Sequence, residues 1–254
     1  IDGEACRRFH VQARERGGVL ALAGDVEESE VAAEIADLLR LPPPGRPGEA
    51  ADEAVGATEP RRAVATAARD QSHLFVGHRT VPADHPDLPA LDLASIVLGA
   101  GSGLTGRIPT RVREREGLAY SATAGLTAGA GLDAGRLVVH VATSPAQVAR
   151  AEACVREEIG RLCDEGVSET EVEEARSYVL RREPFRRETA RQWAGLLARS
   201  SLYGMPVDDA AWVEARYRAL DRAAVEAAIR RHLEPARLQV TVGSPASGAA
   251  RAVC

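Results

Sequence analysis

Between Leu98 and Ser121 the chain reads LGAGSGLTGRIPTRVREREGLAYS. Gly99, Gly101, Gly103 and Gly106 allow unusual backbone angles and close backbone approach. Arg107, Arg111, Arg113 and Arg115 then fall on a short basic helix, and Tyr120 opens a strand. A guanidinium and a phenol are both hydrogen-bond donors. Held beside a flexible backbone, they can grip a peptide carbonyl and stabilise negative charge developing on it. A purely structural reading stays open: the glycines join two helices tightly, the arginines pair with Glu114 and Glu116 in solvent, and Tyr120 packs on the core with its hydroxyl at the edge.

Other chemistries find less support. The histidines are His10, His73, His78, His85, His140 and His232, and none stands in HxxEH or HExxH. His73 and His78 lie an odd number of residues apart on one strand and so face opposite sides. His140 sits in an apolar run and reads as a satisfied core residue. Cys6, Cys154, Cys163 and Cys254 form no CxxC pair and match no zinc spacing. No GxSxG elbow is present. GAGSGLTG lacks the Lys-Ser/Thr of a phosphate loop and follows a helix rather than a strand, which argues against a nucleotide site.

The elements that must position the loop follow from periodicity and punctuation. Asp2 caps a helix through Ala13, Gly17-Gly18 breaks it, and residues 19–24 (VLALAG) form a buried-type strand. A second helix starts at Asp25, with Val31, Ile35, Leu38 and Leu39 on one face, and Pro42-Pro43-Pro44 ends it. Residues 42–61 are a linker by composition. Strands are predicted over 63–67, 72–78, 120–127, 136–143 and 237–242. Helices are predicted over 88–98, 106–114, 144–165, 208–219 and 221–232. Ser168 and Glu171 form a capping box opening a long helix that Pro184 splits before 193–197. One pattern recurs: Asp, helix, break, apolar strand and Gly run over residues 2–24 and again over 221–243, 219 residues later.

Composition bounds the setting. A chain of 254 residues holds one large or two modest domains. A net charge of −5 argues against a broad nucleic-acid or anionic-membrane surface, and the exclusive use of Arg as the basic residue, beside so much Ala, reads as GC-rich codon bias. No apolar run approaches the ~20 residues of a membrane span. The compartment is left open by the sequence, with the reducing cytoplasm favoured by cysteine usage. The chain begins on Ile1, already in a helical pattern, and reads as a fragment or a processed chain.

The segment from Leu98 to Ser121 resembles the M16 (pitrilysin/insulinase) metallopeptidases, whose second unit carries LGGGxSSRLxxxLRExxGLAYS. The strand-Gly-Asp-helix VLALAGDVEESEVAAEIADLL, the Pro-rich linker and the closing QVTVG strand fall in that family's order as well. The resemblance covers essentially the whole chain and corresponds to the C-terminal, non-zinc domain. It implies an α+β fold, an antiparallel sheet with helices on one face (LuxS/MPP-like). Residues 1–41 would be the tail of a first M16-type unit, 42–61 a linker, and 62–254 a second unit.

It further implies that Tyr120 stabilises the tetrahedral oxyanion, that Arg113 holds a substrate backbone carbonyl, and that Gly99, Gly101, Gly103 and Gly106 flank the peptide. No metal ligands are expected here: the zinc, its water and the general-base Glu would come from a missing N-terminal half or a partner subunit, with which the chain would form a dimer. The isolated chain is expected to be inactive and to bind no zinc. The loop SGLTGR is looser than the family's SSR. A catalytically silent scaffold or regulatory subunit, and a peptide-binding module without proteolysis, are the competing readings.

Overall fold

The computed structural model describes residues 1–15, 18–27, 29, 31, 34–35, 59–67, 70–101, 105–206 and 210–245. Residues 42–58 of the linker expected over 42–61, Leu38 and Leu39 of the second helix, Gly103 and Cys254 lie outside the described residues. The chain divides into two compact units, one of residues 1–56 with 182–212, the other of 57–181 with 213–254.

The larger unit is α+β. Its strands are β1 (Arg62–Ala67), β2 (Ser72–Arg79), β3 (Ala119–Ala128), β4 (Arg136–Thr143) and β5 (Gln239–Pro245), in the order β1-β5-β2-β4-β3. Every neighbouring pair is antiparallel except β1 with β5, which is parallel. Strict alternation separates the faces. Leu74 and Val76 of β2, Leu137, Val139 and Val141 of β4, Ala122, Ala124 and Leu126 of β3, and Val240 and Val242 of β5 are buried. Leu74 pairs with Val141 and Val76 with Val139, so these side chains share one face.

Helices cover that face. α2 (Leu88–Ser95) packs on β3 and on α8 (Arg222–His232), while α4 (Val148–Glu165) packs on β2 and β4. Between α2 and β3 lies the short α3 (Arg107–Pro109). α5 (Glu169–Arg182) follows α4 and buries Val172 and Ala175. Leu74, Leu91, Leu93 and Leu98 have no exposure. Burying each such side chain contributes about 1.5–3 kcal/mol. The opposite face carries Phe75, Thr123 and Thr241, all exposed. His140 belongs to this second face. It pairs directly with Phe75, is half-buried, and its Nε2 lies 3.0 Å from His73 Nδ1. It is therefore not the core residue its apolar neighbours suggested: alternation sends Val139 and Val141 inward and His140 outward. His73 and His78 do face opposite ways, with His78 Nε2 accepting from the Glu234 N–H on the helix side.

Helix ends follow the capping chemistry. Ser168 and Glu171 reciprocate across the start of α5, Glu171 N–H to Ser168 Oγ at 3.2 Å and Ser168 N–H to Glu171 Oε2 at 2.8 Å. α5 stops before a 3₁₀ turn at Pro184–Arg186.

In the smaller unit, α1 (Gly3–Glu15) and α6 (Ala190–Leu202) are helical; α7 (Ala210–Arg218) begins in this unit and ends in the larger one. Ser29, Val31, Glu34 and Ile35 are also helical, as the second predicted helix requires. Residues 18–23 form no strand. They have no ladder among the described residues, and Val19, Leu20 and Leu22 are 41%, 50% and 48% exposed. The pattern is that of a strand, but a strand needs a neighbour for its backbone N–H and C=O groups.

Candidate functional site

The loop is delivered by two widened helical turns. α2 runs on as a π-turn over Ile96–Ala100, and α3 runs on as another over Thr110–Arg115, where Glu116 N–H reaches Arg111 O at 3.1 Å. Such turns are rare and concentrate at functional sites. Gly99 and Gly106 meet backbone to backbone, with φ of +148° and +107°. A Cβ on Gly106 would lie 2.6 Å from Gly99 Cα, and one on Gly99 would lie 2.7 Å from Pro109 Cδ. Only glycine fits at either position. Both close the loop upon itself, and Gly99 is buried.

The arginines divide by partner. Arg107 is locked inward: Nε and Nη2 each donate to the Glu171 carboxylate at 2.8 Å, and Nη2 also donates to Gly166 O at 2.8 Å. That grip raises the Arg107 pKa further. Arg111 pairs with Glu116 at 3.1 Å and Glu157 at 3.2 Å, and Arg150 closes on Glu116 at 2.6 Å. Of the two expected partners of the basic helix, Glu116 pairs with Arg111, and Glu114 makes no ion pair among the described residues. Arg113 differs. Among the described residues it makes no ion pair, and its guanidinium carbon lies 5.8 Å from the centroid of the Tyr120 ring, within cation–π range.

Tyr120 owes its exposure to an irregularity in β3. The ladder to β4 shifts between Ala119, opposite Thr143, and Ser121, opposite Ala142, so one residue of β3 has no counterpart. Simple alternation with the buried Ala122 and Ala124 would turn Tyr120 toward the helices. The extra residue re-aims it, and Tyr120 is 88% exposed. The bulge is anchored by the buried Thr143, whose hydroxyl donates to Leu118 O at 2.6 Å. Further along β3, Leu126 N–H donates to Ser95 Oγ at 2.8 Å, fixing the strand to α2.

A cleft of about 570 Å³ opens beside the loop. It is lined by Ile96, Thr105, Arg107, Arg161, Glu171 and Tyr178, together with Gly101 and Gly106. Arg113 and Tyr120 do not line it. The structure therefore brings Arg113 to Tyr120 and packs Gly99 on Gly106, but puts Gly101 and Gly106 beside a separate cavity.

The model of the peptidase M16 inactive domain matches residues 18–179. The chain belongs to this family. An uncharacterized zinc protease of Mycobacterium leprae is 29% identical over 194 residues, which are 73% of this chain and 42% of that protein. The peptidase M16 inactive domain of Pseudomonas fluorescens superposes with a TM-score of 0.73 at 22% identity, over 88% of this chain and 52% of that one. A protease from Helicobacter pylori gives a TM-score of 0.68 at 12% identity, over 88% and 54%. The chain thus spans about half the length of these three proteins.

The M16 zinc motif, HxxEH, is absent from the sequence, and the residues of this chain do not fit that metal centre. One group that sequence reasoning missed does collect metal-type donors: His85, Asp87 and His232, whose donor atoms lie within 4.8 Å of one another. His85 and His232 stand far apart in sequence, and no spacing rule joins them. No described helix is long and apolar enough to cross a membrane.

Proposed function

We propose that this chain is the substrate-clamping, transition-state-stabilising part of an M16-type zinc endopeptidase. Its partner is a zinc-bearing M16 half or subunit, which supplies the metal, the water and the base. The Tyr120 hydroxyl donates to the scissile carbonyl oxygen as it becomes an oxyanion, and Arg113 holds a neighbouring peptide carbonyl. The observation that carries this reading is the pair itself: a guanidinium over an exposed phenol, on two successive elements whose connection is tied by the Leu118 N–H donating to Val112 O at 2.9 Å. A preorganised donor of this kind is worth about 3–4 kcal/mol to a transition state. The protease descriptions of the M. leprae and H. pylori relatives support the proteolytic setting. Residues 1–41 are the closing part of a first α+β unit, which accounts for the exposure of Phe9, Val11, Val19, Leu20 and Leu22.

The test is reconstitution. The chain is mixed with a zinc-bearing M16 partner, and cleavage of a fluorogenic peptide is followed with and without Tyr120→Phe. The rate falls about 100-fold or more on substitution, while thermal stability is unchanged, because an exposed hydroxyl is removed. Arg113→Gln raises KM. An unchanged rate in Tyr120→Phe assigns the chain to the scaffold role instead. Metal-dependent cleavage by this chain alone overturns the division of labour.

A further inference from the structure

We propose that His85, Asp87 and His232 form a binding site for a divalent transition metal of the zinc class. Two imidazoles and a carboxylate are the donor set such ions prefer, and with one water they complete a tetrahedron. Their donor atoms lie within 4.8 Å of one another, and all three residues are half-buried. They come from two elements that already pack together, the turn leading into α2 and the last turn of α8.

The geometry is close to assembled. His232 Nε2 lies 2.7 Å from Asp87 Oδ2. An ion there takes the place of the hydrogen between them, and the N···O separation must widen by about 0.7 Å to span metal–nitrogen and metal–oxygen bonds of ~2.1 Å at a tetrahedral angle. The His85 ring stands edge-on to the His232 ring with centroids 5.0 Å apart. His85 Nδ1 accepts from the Asp87 N–H at 3.0 Å. That bond orients the ring, and His85 gives it up if it coordinates through the same nitrogen.

Arg231 is the competitor. Its Nε and Nη2 donate to the two Asp87 oxygens at 2.9 and 2.8 Å. The Arg231 side chain is 55% exposed, so it can swing into solvent when an ion arrives. The same guanidinium explains how the carboxylate is satisfied in the metal-free protein. In the loaded protein the ion ties the start of α2 to the end of α8, and α2 packs on β3, the strand that carries Tyr120. The inference is independent of the proposed peptidase role, because it concerns binding by this chain alone and involves neither Arg113 nor Tyr120.

The test is titration of the untagged chain with Co²⁺, followed by visible absorption, and then displacement by Zn²⁺. The expected result is one Co²⁺ per chain with the intense bands of a tetrahedral site. His85→Ala and His232→Ala each weaken binding by more than the about 10- to 100-fold that loss of a mere hydrogen-bonding neighbour costs. Zn²⁺ raises the melting temperature of the unsubstituted chain and not of these variants. The double variant His73→Ala/His140→Ala, which removes the other close histidine pair, leaves the spectrum unchanged. Absence of the bands overturns the proposal, and so does binding that persists undiminished in His85→Ala and His232→Ala. Circular dichroism of each variant in chelator confirms that it is folded.

Discussion

Two helix-and-extended-chain pairs in this molecule share one pattern and meet opposite fates. α1 with residues 18–24 and α8 with β5 stand 219 residues apart, and they agree in local detail. Asp2 accepts the Ala5 N–H at 2.8 Å, and Asp221 accepts the Ala224 N–H at 2.7 Å, so both helices start on the same cap. Beyond the cap they part. α8 buries Val225, Ala228 and Ile229, and β5 lies between β1 and β2. On α1, Phe9 and Val11 are 72% and 53% exposed, and the following segment joins no sheet among the described residues. A cap is a local device and forms wherever its sequence does. A strand is a relation between segments, and the same apolar pattern remains uncovered chain where neighbours are not supplied.

The largest effect that can break this comparison is a buried charge. Val19 and Leu238 occupy equivalent places in the repeat, yet Leu238 is 2% exposed and Val19 is 41% exposed. Leu238→Asp removes a core side chain and places an unpaired carboxylate among Val240 and its neighbours. It costs about 4 kcal/mol or more, read as loss of the cooperative unfolding transition or a large fall in its midpoint. Val19→Asp shifts the same transition by less than about 0.5 kcal/mol. Equal effects from the two substitutions would mean that the N-terminal segment is packed after all. In a longer protein that supplies the missing strands, Val19→Asp becomes costly as well.

The same contrast explains what was legible in the sequence. The strands of the larger unit, the capping box at Ser168 and Glu171, and the break at Pro184 all rest on alternation or on contacts within a few residues, and each is found. The adjacency of Arg113 and Tyr120 was legible because one helix turn and one tight bend join them. Three things were not. Residues 18–23 need a partner strand to become one. His140 needs its register against Phe75 before its face is known. His85 and His232 meet only because α8 packs against α2, a contact no local pattern encodes. Tyr120 is an intermediate case: its nearness to Arg113 was legible, while its exposure depends on a bulge that alternation alone would contradict.

A middle-sized effect separates locked backbone from free backbone. Gly106 has φ of +107° and no room for a Cβ beside Gly99. Gly106→Ala therefore costs about 2 kcal/mol or more through strain and displacement of the loop. It also disturbs the start of α3, which carries the chain toward Arg113. Gly18, in the N-terminal segment, has nothing within 4 Å of the point where a Cβ would stand, and no positive φ. Gly18→Ala is neutral within about 0.5 kcal/mol, or slightly stabilising through the unfolded chain. Chemical denaturation of both variants measures the contrast. A neutral Gly106→Ala would show that the loop is not closed by the contact between the two glycines.

The smallest effect contrasts two carboxylate–arginine pairs by pH. For Glu171, burial alone pushes the pKa up. The Arg107 guanidinium together with the Ser168 N–H and hydroxyl outweighs it and holds the carboxyl below its ordinary 4.5. A carboxyl depressed in the folded state contributes stability above its unfolded pKa and loses it as pH falls through the folded pKa. The advantage of the unsubstituted chain over Glu171→Gln is therefore full at pH 7 and shrinks below about pH 4.5. Its size is on the order of 1 kcal/mol, because the cost of burying the carboxylate offsets much of what the Arg107 guanidinium and the Ser168 groups contribute. Glu4 and Arg8 on α1 make a pair of similar length, 2.9 Å, with side chains 72% and 61% exposed. Glu4→Gln produces no measurable change at either pH. Urea midpoints at pH 7 and pH 3.5 for the two variants and the parent decide it: a pH-independent Glu171→Gln deficit would assign the loss to packing or capping, and not to the charge that Arg107 holds.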